Sequence, residues 1–267
     1  MDKEYWLNVC KDIGEKLFVE INKQKRNVES KKVKGMGSGG DKTLIIDDIA
    51  EKIVFNELKK TRKSFKIISE EFGEKIIGDK PEVSITVDPL DGSNNVRFAI
   101  PFNSLSIAIG DLSGKMEGIE IGYVKDFVKG NNYYAIRGKG AYKNDERIYV
   151  SKEEIGCLLI DVVLEREKNF KRIGDVGKNF PYVRMLGSAC LAMCLVARGT
   201  VDGYVGLSAK RTLDYAATQL IVKEAGGIVK DIDGNDFSEY DIGFNIDTNI
   251  IAASNDKMFK KIKSILK

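Results

Sequence analysis

The stretch Thr86-Val87-Asp88-Pro89-Leu90-Asp91-Gly92-Ser93-Asn94-Asn95 decides how the rest of the chain is read. It closes an alternating run, Val83-Ser84-Ile85-Thr86-Val87, whose period of two predicts a half-buried strand. Pro89 and Gly92 mark where that strand is expected to stop. Asp88 and Asp91 stand three residues apart with no lysine or arginine between them. Once the chain turns, both carboxylates can face one spot, where they repel each other unless a cation sits there. Hard oxygen donors at this spacing suit Mg²⁺ or Mn²⁺. The Gly-Ser-Asn-Asn that follows can open a helix or turn whose N–H groups face an anion. A cation site beside an anion cradle is a place for phosphate chemistry. Asp-Pro and Asp-Gly are also ordinary turn formers, and a lone motif of this kind reads more simply as a loop. The decision therefore rests on the rest of the chain.

Composition narrows the chemistry. The 267 residues suffice for one large domain or two lobes sharing a core. A net charge of +3 from 43 basic and 40 acidic residues gives no strong basic field, so no nucleic-acid partner is expected. The first residues, MDKEYWLNVCKDIGEKL, mix acids and lysines with apolar residues and resemble neither a signal peptide nor a membrane span. A cytoplasmic location without membrane association is the expectation. Cys10, Cys157, Cys190 and Cys194 contain no CxxC pair, and free thiols suit a reducing compartment. The histidine count of zero removes Ser-His-Asp and Cys-His nucleophiles, imidazole bases and His-ligated metals together. Carboxylates, hydroxyls, lysines or a hard metal ion must carry any catalysis.

Along the chain, Trp6, Val9, Cys10, Ile13, Leu17 and Ile21 form one apolar helical stripe. Four glycines among Gly35 to Gly40 then read either as a flexible linker or as a loop closing over a ligand, with Asp41 or Lys42 reaching a metal or phosphate. A second helix is expected from about Asp47 to Lys60, with Ile49, Ile53, Val54 and Leu58 inward and Glu51, Lys52, Glu57 and Lys59 outward. Asp47 at its start is explained equally well as a helix cap. Phe65 to Ser69 reads as a strand ending in Glu70-Glu71-Phe72-Gly73. Residues 1–150 are expected to form an α+β lobe, a mostly antiparallel sheet with helices on one side. Residues 151–267 alternate strands and helices as an α/β lobe. There Asp214, opening a helix after Lys210-Arg211-Thr212-Leu213, reads by itself as a favourable first-turn acid.

Five segments together change the weighting: GGDKTLIIDDIAE (Gly39 to Glu51), ISEEFG (Ile68 to Gly73), DPLDGSNN (Asp88 to Asn95), GSACLAMCLVARGTVDGY (Gly187 to Tyr204) and LDYAATQLIVKEAGG (Leu213 to Gly227). In this order they resemble the inositol monophosphatase and fructose-1,6-bisphosphatase superfamily. The resemblance implies an α/β fold of the layered αβαβα sandwich type and a metal-dependent phosphomonoesterase with two to three Mg²⁺ ions, Mn²⁺ being an alternative. It assigns one ion to Glu70, Asp88 and the carbonyl of Leu90, and a second to Asp88, Asp91 and Asp214. A third, weaker ion falls to Glu70 and the glycine loop, with Asp41 contributing. It gives Asp47 and Ser93 the task of orienting the attacking water, with serine where many relatives carry threonine. It also implies a homodimer.

For the substrate, a phosphorylated small molecule, the backbone N–H groups of Gly92 and Ser93, with Asn94, are placed on phosphate oxygens. Relatives dedicated to inositol monophosphate carry an acid seven residues before the late aspartate; here that position is Leu207, followed by the basic Lys210 and Arg211. These two residues, with Arg184 and Arg166 as further candidates, point to a second phosphate. The reading thus favours fructose 1,6-bisphosphate, with inositol-1-phosphate beside it. The alternatives are a 3′-phosphoadenosine 5′-phosphate phosphatase of the same fold and a non-catalytic binding protein that has kept the fold. The metal-dependent reading requires Glu70, Asp88, Asp91 and Asp214 to converge, and not around an arginine that leaves no room for an ion.

Overall fold

The computed structural model describes residues 1–36, 42–70, 72–162, 167–244 and 247–267. Helix α1 (Lys3–Gln24) buries the expected stripe, from Trp6 through Ile21, and Asp2 caps it by accepting from the Tyr5 amide. A short hairpin, β1 (Val33–Met36) with β2 (Lys42–Leu44), flanks the glycine segment and leads straight into α2 (Ile45–Lys60).

An eight-stranded sheet follows. In spatial order it is β10 (Glu146–Ile148), β9 (Gly140–Lys143), β8 (Asn132–Ile136), β7 (Ile119–Asp126), β6 (Ser104–Gly110), β5 (Val83–Asp91), β3 (Phe65–Ser69) and β4 (Gly73–Ile77). All its neighbours are antiparallel except β3 and β5. A second, five-stranded sheet orders β12 (Tyr182–Arg184), β11 (Cys157–Val162), β13 (Gly203–Arg211), β15 (Asp247–Ala253) and β14 (Ile228–Asp231).

Three apolar clusters define the layers. Helices α1 and α2 pack on one face of the first sheet through Leu17, Ile46, Val54, Val83, Ile85 and Val87. Helices α5 (Ala189–Ala197) and α6 (Ala216–Glu224) fill the space between the sheets. Beyond the second sheet lie α4 (Glu167–Asn179) and α7 (Asp256–Leu266), seated through Val176, Phe180, Phe259 and Ile262. The result is the αβαβα sandwich. Helices α1 and α2 lie on one side of the first sheet, and α6, from the later half of the chain, covers its other face. A Cβ at Gly122 of β7 would lie 2.3 Å from the Ala217 carbonyl oxygen, so only glycine lets helix and strand come this close. No helix among the described residues is long and apolar enough to cross a membrane.

Two expectations for β5 fail. The strand is not half-buried: all nine residues are buried, including Ser84, Thr86 and Asp88. The α5 and α6 layer covers the face on which periodicity alone predicted water. Nor does Pro89 stop the strand, although Gly92 does. It runs through Pro89 to Asp91, with a bulge between Asp88 and Asp91 where three β5 steps match two on β6. A bulge tolerates a residue that has no N–H to offer the ladder.

Candidate active site

The bulge aims the site. On a regular strand, residues i and i+3 face opposite sides of the sheet. The extra residue reverses that parity, so Asp88 pairs with Ser106 and Asp91 with Ser104, two positions that share one face of β6. Both aspartates therefore look into the layer between the sheets. The parallel register of β3 on β5 sets Ser69 beside Val87, and the Glu70 amide reaches the Val87 carbonyl, which carries Glu70 to the same end as Asp88. From the other sheet, a 3-10 turn, Thr212–Tyr215, packs against β5 and delivers Asp214.

The electrostatics register this convergence. Asp88 is pushed well above the ordinary carboxylate range, first by burial and then by the charges of Glu70, Asp91 and Asp214; the Leu90 N–H, donating to Asp88 Oδ1 at 3.0 Å, opposes the shift. Four acids from three separate chain segments thus act on one another, Asp88, Asp91 and Asp214 buried and Glu70 partly exposed.

An arginine is among them. Arg211, at the end of β13, donates from Nη2 to Glu70 Oε1 at 2.5 Å and lies 3.4 Å from Asp214 Oδ1. In this conformation the guanidinium expected to meet a second substrate phosphate is turned inward onto these two acids. The reason is local charge: β13 runs on to Arg211, placing that side chain directly beside the partly exposed Glu70 and the buried Asp214. Among the described residues no three acids are drawn in closely enough to make a ready ion shell. Yet the guanidinium contacts Glu70 and Asp214, and Asp88 is still raised by burial and by the charges of Glu70, Asp91 and Asp214. This hard, anionic, buried donor set fits a divalent cation.

Asp91 is also structural. Its Oδ2 accepts from the Ser188 hydroxyl, from the Cys190 amide at 2.9 Å and from Ser104 Oγ at 3.3 Å, while Oδ1 meets the Ala189 amide at 3.3 Å. It therefore holds the N-terminus of α5, satisfying donors the helix leaves open. Asp47 sits in the first turn of α2, 5% exposed, and takes the Leu44 amide on Oδ2 at 2.7 Å, so the cap reading holds whatever else it does.

Gly92 has φ +84°, and a Cβ there would lie 2.9 Å from the Phe102 carbonyl oxygen. Both facts demand glycine before the short helix α3 (Ser93–Arg97). Ser93 is partly buried and Asn94 exposed at its start. The next residue, Asn95, was not singled out in the sequence. It is buried and donates to the carbonyls of Phe102 at 2.7 Å and Leu186 at 2.6 Å, tying the motif to the segment that precedes α5. Arg184 is exposed on edge strand β12, and its Nη1 bonds the neighbouring Val183 carbonyl at 2.8 Å. The acid absent at Leu207 is replaced by a side chain 1% exposed within the core. Asp41 and Arg166 lie outside the described residues, as does the Lys210 side chain.

Glu51 is the residue the sequence reading misplaced. Expected outward, it is 2% exposed. The four-residue spacing of Ile46, Ala50, Val54 and Leu58 is the signal that would have set positions 47 and 51 beside the buried face.

Comparison with known proteins is decisive at this point. The sequence profile of the inositol monophosphatase family matches residues 4–266. The chain belongs to the inositol monophosphatase family. It is 34% identical, over 98% of its length, to a bifunctional NADP phosphatase/NAD kinase of Methanococcus maripaludis, and spans 48% of that longer relative. It is 30% identical to a fructose-1,6-bisphosphatase/inositol-1-monophosphatase of Methanothermobacter thermautotrophicus, covering 99% of this chain and 98% of the relative. The crystal structure of extragenic suppressor protein suhB from Bartonella henselae superimposes with a TM-score of 0.85 at 31% identity, covering 98% of each chain.

Proposed function

We propose that this family member is a Mg²⁺-dependent phosphomonoesterase acting on a sugar or inositol phosphate, with fructose 1,6-bisphosphate and inositol-1-phosphate as its substrates. The observation that carries the reading is the convergence of the buried Asp88, Asp91 and Asp214 with the partly exposed Glu70. In this reading Glu70, Asp88 and the Leu90 carbonyl hold one divalent ion, and Asp88, Asp91 and Asp214 another, with Mn²⁺ able to substitute. Bound there, such ions supply charge neutralisation for the phosphate dianion and acidify the attacking water.

The chain's own groups do the rest. Asp47 and the Ser93 hydroxyl orient the water, while the Gly92 and Ser93 amides at the open end of α3 hold phosphate oxygens. Arg211 holds Glu70 and Asp214 until they are needed as ligands, and once released it is free to meet substrate phosphate. Asp91, locked onto the start of α5, cannot drift from its place, which is the pre-organisation such a site requires. No covalent enzyme intermediate is involved. A cytoplasmic homodimer is part of the same proposal, on the family likeness alone.

A second reading is favoured by one observation. The Methanococcus relative is named an NADP phosphatase, which makes a nucleotide 2′-phosphate a competing substrate beside 3′-phosphoadenosine 5′-phosphate. Phosphate release from fructose 1,6-bisphosphate, inositol-1-phosphate, NADP and 3′-phosphoadenosine 5′-phosphate, compared as kcat/KM in Mg²⁺, decides between them. Higher kcat/KM on either nucleotide overturns the sugar and inositol assignment. No release from any of the four overturns the enzyme reading.

A further inference from the structure

Glu70 lies in the turn that follows Ser69, the last residue of β3, and Phe72 stands just before β4. A turn at a strand's end has few contacts to fix it, so something must hold a ligand placed there. One carboxylate spans this turn. Glu51 Oε1, on α2, accepts both the Ser69 hydroxyl and the Phe72 amide, the latter at 2.8 Å. These two donors flank Glu70 on either side. The Phe72 ring packs edge-on against Phe55 of the same helix, with centroids 6.0 Å apart, so α2 grips the far end of the turn twice.

Glu51 also lies one helical turn after Asp47, and both are buried on one face of α2. A carboxylate 2% exposed is costly to desolvate, and a polar contact serving only to close a surface turn gives little return for that cost. We infer that Glu51 is a positioning residue: it fixes the Ser69–Phe72 turn so that Glu70 is presented to the metal ion, without touching ion or substrate itself. This deepens the proposed function and rests on its reading of Glu70 as a ligand.

The test is calorimetric titration of the full-length protein with MgCl2 and MnCl2, without substrate, for wild type, Glu51→Ala, Glu51→Gln and Ser69→Ala. Removing a group that orients a ligand from behind typically costs 10- to 100-fold in metal affinity, and Glu51→Ala is expected in that range. Glu51→Gln retains an oxygen that accepts both donors and should stay within about threefold of wild type, whereas Ser69→Ala loses one arm and should fall between. In turnover assays the Mg²⁺ concentration for half-maximal rate should rise for Glu51→Ala, with kcat restored at saturating Mg²⁺; a merely structural defect would not be recovered this way. Should Glu51→Ala fail to fold by circular dichroism, Glu51→Asp, one methylene shorter, takes its place.

Unchanged metal affinity in Glu51→Ala overturns the inference. So does a Glu51→Gln variant as weak as Glu51→Ala, because Glu51 would then act through its charge as a ligand. A wild-type protein that takes up neither ion overturns the metal reading beneath both.

Discussion

Arg211 Nη2 stands 2.5 Å from Glu70 Oε1, joining residues 141 positions apart at the meeting of the two sheets. With Asp214 Oδ1 3.4 Å away, the guanidinium is an internal counter-ion for two of the four clustered acids. A divalent ion that takes up those oxygens must first release the arginine, so the arginine opposes metal binding by mass action. Arg211→Gln should therefore lower stability in EDTA by on the order of 1–3 kcal/mol, below the full cost of breaking a deeply buried pair because Glu70 is 21% exposed. The same variant should bind Mg²⁺ several-fold more tightly, and saturating Mg²⁺ should close the stability gap. Urea unfolding with EDTA or Mg²⁺, together with calorimetry, checks both; equal Mg²⁺ affinity in the two proteins would remove the counter-ion role.

Asp91 illustrates two duties in one side chain. As a proposed ligand it needs its charge, and as the cap of α5 it needs its oxygens. Asp91→Asn should abolish turnover and also cost about 1 kcal/mol through the weakened cap, whereas a pure ligand role would leave stability in EDTA untouched. Steady-state kinetics and thermal unfolding of the same preparation separate the two effects.

Gly92→Ala places a methyl where φ is +84° and the Phe102 carbonyl oxygen is 2.9 Å away. Strain of about 1–3 kcal/mol is expected. Relief requires moving α3 away from β6, so kcat should drop along with the melting temperature. A variant with wild-type kcat and stability would show that this turn carries neither strain nor catalysis.

How much of this was written in the sequence depends on the range of the forces involved. The α1 stripe and the strand Phe65–Ser69 emerge with nearly their observed bounds because 3.6- and 2-residue periodicities are local. The burial of β5 on both faces was not legible, since the helices that cover Ser84 and Thr86 arrive more than a hundred residues later. Hairpin β1–β2 and strand β4 were missed for a related reason: three to five residues, rich in glycine and lysine, form strands only because a neighbour offers hydrogen bonds. The Asp88–Asp91 pairing was legible as a motif, but the bulge that turns both to one face is a property of the β5–β6 register. Arg211 is legible as basic, but its contact with Glu70 is not, because nothing local says that Glu70 will stand opposite it.

Asp88 supplies a test that depends on proton linkage. Burial and the charges of Glu70, Asp91 and Asp214 raise its carboxyl well above the ordinary range in the metal-free protein. A group whose folded pKa is raised contributes stability below the unfolded pKa and loses it as pH rises through the folded value. The metal-free protein should therefore lose the stability contributed by this group as pH climbs above the normal carboxylate range. A divalent ion requires the deprotonated carboxylate, so its binding must expel whatever proton Asp88 still holds. Mg²⁺ affinity should rise with pH until Asp88 is already ionised in the free protein, then level off. Calorimetry in two buffers of different ionisation enthalpy reads the proton directly: heats should differ between buffers below that plateau and agree above it. In Asp88→Asn, the buffer dependence should vanish together with most of the binding. Buffer-independent heats at every pH for the wild type would mean that Asp88 is ionised before the ion arrives, and that the crowding of four acids is relieved by Arg211 alone.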